Sequence, residues 1–449
     1  MKRVLSILAL VMIVGLLASP VSAAEKDWTW MVFLNADNNL DSFGVTDQDE
    51  MAKVGSNDWL NIVTLIDREK GPATFNYIEK GNVKKLKDMG ELDMGDYNQL
   101  VSFVKDTVAA YPAKHYALII WNHGAGWKNK AKSAVQKGIS YDDSSNNHIT
   151  VEQLGIAAGQ IKTILGKNLD ILCMDACLMQ MAEVLYAVKS NIDYVVGSEE
   201  TEPGDGYPYD QILGALTAGM QPADLAKIVA TKYVASYNNG TQGSSPSTQS
   251  AVDCSKFDAL KDAIDGFAKA SIAGSYGKQF TTALTAVQKF YYRTNIDLLH
   301  LVTLLKASIK DQTFQTAATK LDAAIKDLVI ASGNTQATMK NAYGLAIYFP
   351  TTAPSFDKAY SNLAFAKDTM WDEMLQDYYK KTTAPAIIAD LENGDIASLI
   401  EYVNNSSDNN REVSSDLIAK LNFRAYSEDG IDAATQAAIG NLVKELKTK

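Results

Sequence analysis

Only three cysteines, Cys173, Cys177 and Cys254, occur in the 449 residues. That number cannot build a disulfide framework. An exported chain whose fold needs no disulfide can keep a reactive thiol free. Positive charge is also scarce: 42 Lys and Arg stand against 53 Asp and Glu, a net charge of −11. Such a surface argues against nucleic acid and anionic membranes as partners. It suits basic substrates, although an acidic balance also serves solubility. Beyond the first 23 residues no stretch is long and apolar enough to span a bilayer. Histidine is rare as well, at His115, His123, His148 and His300, so an imidazole general base has few candidates.

The opening residues read as a signal peptide, residues 1–23. Lys2 and Arg3 form a basic start, Val4 to Leu17 an apolar run, and Val21-Ser22-Ala23 a small-residue cleavage site. No Cys lies near the cut, which argues against a lipid anchor. The expected location is secreted or periplasmic, with no membrane partner after cleavage. Losing Lys2 and Arg3 leaves 40 basic residues against 53 acidic ones, net −13. About 425 residues then remain, enough for one large domain or two to three smaller ones.

The chemistry concentrates in Asn168 to Val184, NLDILCMDACLMQMAEV. Leu169 to Met174 has the texture of a buried strand. After Asp175-Ala176-Cys177, residues Leu178, Met181, Ala182 and Leu185 recur at helical spacing, which predicts a helix over 176–189. Cys177 is thus expected where a strand ends and a helix begins. Ligands of open α/β sheets bind at the carboxyl ends of strands, and a helix N-terminus favours a thiolate. The plain alternative is a small core residue. A second strand, Tyr116 to Trp121, ends at Asn122-His123-Gly124, and His123 lies 54 residues before Cys177. A thiol needs a base at neutral pH, and imidazole is the usual one.

The pair His123-Gly124 and Asp175-Ala176-Cys177-Leu178-Met179 resembles the clostripain family of cysteine peptidases, in the caspase, legumain and gingipain clan. Trp28 to Asp41 resembles that family's first strand and following turn, and Glu202 to Tyr209 a further family segment. The resemblance covers residues 27–380. It implies an α/β, caspase-like fold with a mostly parallel central sheet flanked by helices. It also implies peptide hydrolysis by a dyad, with Cys177 as nucleophile and His123 as acid–base group. The backbone N–H groups of Gly124 and Cys177 would hold the oxyanion. Asp175 and Asp205 match the family's acidic pocket positions, implying peptide or protein substrates with Arg or Lys before the cut bond. Taken by themselves, Asp175 could equally cap a helix and Asp205 could belong to an ordinary Asp-Gly turn. Related enzymes are activated by a cut between the His and Cys halves. The polar loop 128–138 carries four lysines, so Lys137-Gly138 is the expected self-cleavage bond, with Lys132-Ser133 next. Two other readings stay open: a non-catalytic binding homologue, and a Cys amidase or transpeptidase acting on another amide.

The remaining chain organises around this core. Residues 24–254 are expected to form the catalytic core, with strands at Trp30 to Asn35, Leu60 to Asp67 and Asp193 to Ser198. Thr74 to Leu86 reads as a hairpin with an exposed edge, and Thr150 as the N-cap of a helix to Leu165. Asn238 to Ser250 reads as a loop. Residues 255–384 are expected to be helical, over 256–272, 276–292, 296–310 and 313–332. One strand there, 343–349, is expected to return to the core sheet. Residues 385–449 read as a C-terminal helical segment. Asp390 to Asp395 does not fit an EF-hand. No metal or cofactor is assigned, with a calcium requirement left open. His115, His148, His300 and Cys173 are read as structural.

Overall fold

The computed structural model of the chain describes residues 24–127 and 138–382. The signal-peptide reading, the lysine loop up to Lys137 and the segment 385–449 lie outside the described residues.

The amino-terminal half alternates strands and helices. Its elements are β1 (Lys26–Ala36), α1 (Asp41–Val54), β2 (Leu60–Arg68), β3 (Ala73–Glu79), β4 (Asn82–Gly90), α2 (Tyr97–Ala110) and β5 (Ala113–Trp121). A short hairpin, β6 (Ile139–Asp142) and β7 (Asn147–Ile149), leads into α3 (Val151–Leu165). Next come β8 (Leu169–Asp175), α4 (Ala182–Val188), β9 (Ile192–Gly197), α5 (Tyr209–Ala215) and α6 (Pro222–Tyr237). A small ladder, β10 (Asn238–Gly240) with β11 (Gly243–Ser244), precedes β12 (Thr248–Asp253). The rest comprises α7 (Phe257–Ala273), α8 (Gly277–Ala286), β13 (Asn295–Asp297), α9 (Leu298–Ser308), α10 (Gln312–Leu328), β14 (Val329–Asn334), β15 (Ala346–Tyr348), α11 (Ala364–Lys367) and α12 (Trp371–Thr382).

Among the described residues, nine strands form one sheet in the order β14-β12-β9-β8-β5-β1-β2-β3-β4. The five central strands run parallel, and antiparallel pairs extend both flanks. Burial on both faces explains why the central strands read as nearly continuous apolar runs. Successive β1 side chains alternate between the two faces. Trp28, Trp30, Val32 and Leu34 pack with α1, α5 and α6, whereas Met31 and Phe33 join the larger core that runs on to Tyr379. Thr150 caps α3 with a full capping box, its hydroxyl accepting from Gln153 N and Gln153 Oε1 accepting from Thr150 N.

Several expectations need correction. The expected loop 238–250 contains β10 and β11, and its end begins β12, a sheet strand. The expected helix 313–332 ends at Leu328, and β14 follows as the sheet's outermost strand beside β12. The expected helix 276–292 stops at Ala286. The strand expected at 343–349 does not rejoin the central sheet. Its β15 pairs with β13 in a separate two-stranded ladder. The physical reason lies at α4: Ala346 N donates to Gln180 O, and Tyr348 N donates to Glu183 Oε1 at 2.9 Å. The segment's donors are thus spent away from the main sheet, and the strand that does return from the carboxyl-terminal half is β14.

Glu183 is fully buried in this contact and also accepts from Tyr360 Oη at 2.8 Å. Burial pushes its carboxyl up to about 7, and likewise Asp297. Both folded values lie above the unfolded ones, 4.5 and 3.8. Their contribution to stability is therefore fully present below the unfolded values and lost as pH rises towards about 7. For Glu183 this amounts to about 3 kcal/mol. Carboxyls shifted downward, such as Asp41 beside Arg68, sit in exposed pairs and weigh less. The melting temperature is expected to be higher at pH 5 than at pH 8. Glu183→Gln, which keeps both hydrogen-bond acceptances without a charge, should shrink that difference. A melting temperature that rises from pH 5 to pH 8 would contradict this assignment.

Candidate active site

The sheet register brings the two predicted reactive residues level. Trp121 of β5 is paired with Asp175 of β8, and Asn122 N donates to Asp175 O at 3.2 Å. His123 and Cys177 each lie two residues further on, at the carboxyl ends of adjacent parallel strands. Neighbouring strands are about 4.8 Å apart. On the other side of β5 stands β1, with Leu34 paired to Trp121. The strand order reverses its direction of travel between β1 and β5, so this is also the switch point of the sheet.

Cys177 is not at a helix N-terminus, which corrects the expected helix over 176–189. The chain after β8 instead runs alongside the continuation of β9. Leu178 N donates to Glu200 O, and Gln180 N donates to Ser198 O. Leu178 holds a left-handed φ of 65°, unfavourable for a side chain with a Cβ. It is buried, whereas the preceding Cys177 is only partly buried. Only at Ala182 does α4 begin, with Met181 as its N-cap. The reading of Asp175 as a helix cap therefore lapses, and a helix dipole does not act directly on the thiol.

Other groups do. Glu202 N donates to Cys177 Sγ at 3.2 Å. The N–H groups of Glu202, Cys177 and Gly124 favour the sulfur anion, but burial outweighs them and raises the thiol's pKa. At Gly124 an added Cβ would fall 2.3 Å from Cys177 O, so only glycine lets the two strand ends approach this closely. His123 is partly buried, and desolvation lowers its pKa. Its Nε2 lies 2.7 Å from Oδ1 of Asn39, an exposed residue in the turn after β1. An amide oxygen only accepts, so Nε2 carries the hydrogen and Nδ1 keeps its lone pair. The sequence reading missed Asn39. Its signal was the polar run Asn35 to Asp41 at the carboxyl end of the strand beside β5.

Asp175 is buried with its carboxylate accepting from Tyr209 Oη at 2.8 Å and Tyr207 N at 3.3 Å. Gly206, with φ 53°, presses against it, since a Cβ there would sit 3.0 Å from Oδ1. Burial raises the Asp175 carboxyl to about 6. Burial and the charge of Asp175 hold Glu202 well above the usual carboxylate range, so Asp175 ionises first and Glu202 keeps its proton. Asp47, whose Oδ2 accepts from Trp121 Nε1 at 2.6 Å, is raised for the same two reasons. These carboxyls form a buried acidic cluster. Asp205 stands apart from its floor. Its turn reaches the cluster through Gly206, but Asp205 itself is exposed. Gly138, the described half of the expected cleavage bond, is buried, and its carbonyl accepts from Ala125 N.

The remaining histidines make contacts away from this site. His115 Nδ1 lies 2.9 Å from Asp170 Oδ1, His148 stacks on Tyr141, and His300 Nδ1 accepts from Gln288 N. Cys173 is fully buried. Among the described residues, no group of three or more His, Cys, Asp or Glu side chains is placed to hold a metal ion. No described helix is long and apolar enough to cross a membrane.

A mostly parallel sheet with His123 and Cys177 on neighbouring strand ends defines a caspase-like α/β protein. The fold agrees with solved structures of two C11 proteases. One is a secreted C11 cysteine protease of Bacteroides thetaiotaomicron bound to an irreversible peptide inhibitor, at a TM-score of 0.61 and 19% identity, covering 77% of this chain and 100% of that one. The other is an inactive zymogen C11 protease of Parabacteroides distasonis, at a TM-score of 0.61 and 20% identity, covering 77% of this chain and 99% of that one. The model of the clostripain family, Peptidase_C11, matches residues 32–378, and the chain belongs to that family. Clostripain of Hathewaya histolytica is 31% identical over 224 residues. That alignment spans 42% of this chain and 42% of clostripain, so less than half of either protein is matched.

Proposed function

We propose that the protein is an exported cysteine endopeptidase that cuts after Arg or Lys through a Cys177–His123 dyad. The observation that carries this reading is the strand register that levels His123 with Cys177 beside a buried acidic cluster. A raised thiol and a lowered imidazole describe a neutral resting pair, in which the base acts during attack. The Cys177 proton moves to His123 Nδ1 as sulfur bonds to the scissile carbonyl carbon. The N–H groups of Gly124 and Cys177 stabilise the oxyanion. The C–N bond then breaks, and the amine leaves with the proton from His123. Water, deprotonated by His123, hydrolyses the thioester and restores the thiol. Thiol, imidazole and backbone N–H groups supply every step, so the reading assigns no cofactor.

Asp175 supplies the anion that meets the substrate's cation at depth, and the exposed Asp205 adds a second. Arg can engage such carboxylates through its planar fork, and Lys as a point charge. Peptide or protein substrates are the partners. Export rests on the opening basic and apolar residues. The similar C11 protease of B. thetaiotaomicron is a secreted protein. Self-processing in the 128–138 loop, at Lys137-Gly138, extends the same specificity to the chain itself.

A panel of fluorogenic peptides differing only at the residue before the cut tests this reading. Arg and Lys peptides should be hydrolysed, and Ala, Glu and Leu peptides should not. Cleavage without regard to that residue would favour a different amide hydrolase, and no cleavage of any peptide a binding protein.

Asn39 enters as a positioning residue, fixing the His123 tautomer that leaves Nδ1 as the base. Asn39→Ala is expected to lower kcat by roughly one to two orders of magnitude with little change in KM. Asn39→Asp should instead move the acid limb of the kcat profile to higher pH, because a carboxylate favours the imidazolium. An unmoved profile in Asn39→Asp would remove Asn39 from the mechanism.

A further inference from the structure

A cavity of about 760 Å³ is lined by the Glu200–Pro203 segment, and Asp47, Asp175 and Asp205 are not part of its lining. Its apolar lining includes Phe290 and Met339, and Glu200 and Glu202 close it towards the nucleophile. Arg293 and Lys340 also line it, and both are exposed. They stand out in a chain with a net charge of −11. The walls are tied together. Tyr291 N donates to Glu200 Oε1 at 3.1 Å, joining the post-α8 loop to the segment that touches Cys177 Sγ. Gln288 Nε2 donates to Thr338 O at 2.9 Å, joining that loop to the one bearing Lys340.

The proposed mechanism fixes which part of a substrate can reach this cavity. His123 protonates the leaving amine, so residues after the cut lie on the His123 side, with Asn39. None of the cavity's lining belongs to that side. The acyl half must leave Cys177 along the opposite wall, which is the Glu200–Pro203 backbone. With a basic side chain held at Asp175, the residues before it are directed along that segment into the cavity. The acidic members of the wall do not cancel its cations. Glu200 is buried and already accepts from Thr201 N and Tyr291 N, and burial and the charge of Asp175 favour the neutral form of Glu202.

Resting on the peptidase reading, we propose that this cavity binds the substrate residues two to four positions before the cut. Arg293 and Lys340 there select an acidic side chain. The preferred substrate class is then a peptide with Asp or Glu upstream of the Arg or Lys that is cleaved. Opposite charges flank one short backbone segment, so a dipolar sequence of that order fits and its reverse is repelled at both ends.

The test uses the full chain and peptides with Lys before the cut, varied to Glu, Ala or Lys at each of the three preceding positions. At one or more positions, kcat/KM should be about threefold to tenfold higher for Glu than for Lys. The preference should fall with added salt. In an Arg293→Glu, Lys340→Glu double variant it should invert, the readout being the ratio between peptides and not the absolute rate. A ratio that does not move in the double variant overturns the proposal. Binding of the dye-labelled acidic peptide to Cys177→Ala protein, read by anisotropy, separates the two levels of the argument. Charge-dependent binding without any cleavage by the wild type would leave the cavity standing and reject the peptidase reading. Cleavage after Lys with no upstream charge preference would do the reverse.

Discussion

Cys177→Ala is expected to abolish peptide hydrolysis while the chain stays folded. The change removes the attacking sulfur and little volume, and the turn at Leu178 is held by backbone hydrogen bonds that do not involve the thiol. The loss should reach at least about 10⁴-fold in kcat. His123→Ala should be nearly as damaging, since without it the raised thiol has no base. The double variant should be hardly worse than either single one, because residues that act as a unit lose their effect together. Cys173→Ala is the control. That thiol is fully buried in β8, so its loss costs packing and leaves the chemistry in place. Losses that multiplied in the double variant would dissolve the dyad.

Asp175→Asn is the second large effect. A charge pair lost from one buried partner costs about 2–5 kcal/mol, read here as a fall in kcat/KM for Arg and Lys peptides. An amide oxygen can still accept from Tyr209 Oη, so the pocket's shape should survive. Asp205→Asn should cost less, because Asp205 is exposed and solvent screens its charge. The pH dependence follows from the same cluster. The Asp175 carboxyl, raised to about 6, carries its charge above that pH and loses it below. Wild-type kcat/KM for basic peptides should therefore fall as pH drops through about 6. Desolvation lowers the pKa of His123 from 6.5, so its acid limb lies below 6.5. Steady-state kinetics of wild type and Asp175→Asn between pH 5 and 8 check both points. An unchanged preference for basic residues in the variant would move the pocket elsewhere.

Much of the site was legible because it follows strand grammar. Apolar runs closed by Asn122-His123-Gly124 and Asp175-Ala176-Cys177 put the two candidate groups at strand ends, and the sheet's register brought those ends level. What failed were elements whose local pattern was overruled by distant partners. Residues 176–181 have helical spacing, but the N–H groups of Leu178 and Gln180 go to Glu200 and Ser198, which no window of local sequence contains. The strand at 346–348 was visible, yet its destination depended on Glu183 and β13. β12 and β14 were hidden in a polar loop and a helix end because β14 finds its pairing partner only in β12, and β12 only in β14 and β9. Asn39 was invisible for a simpler reason. The polar run Asn35 to Asp41 marks a turn but does not single out one Asn in it until the imidazole is seen 2.7 Å away.

The most direct test of the central claim is covalent capture. Purified protein would be treated with an electrophilic ketone peptide carrying Lys at the position before the reactive carbon, then digested and mapped by mass spectrometry. One adduct is expected, on Cys177, absent from Cys177→Ala and formed much more slowly in Asp175→Asn. An adduct on Cys173 or Cys254, or full peptidase activity surviving in protein whose Cys177 is completely labelled, would contradict that claim.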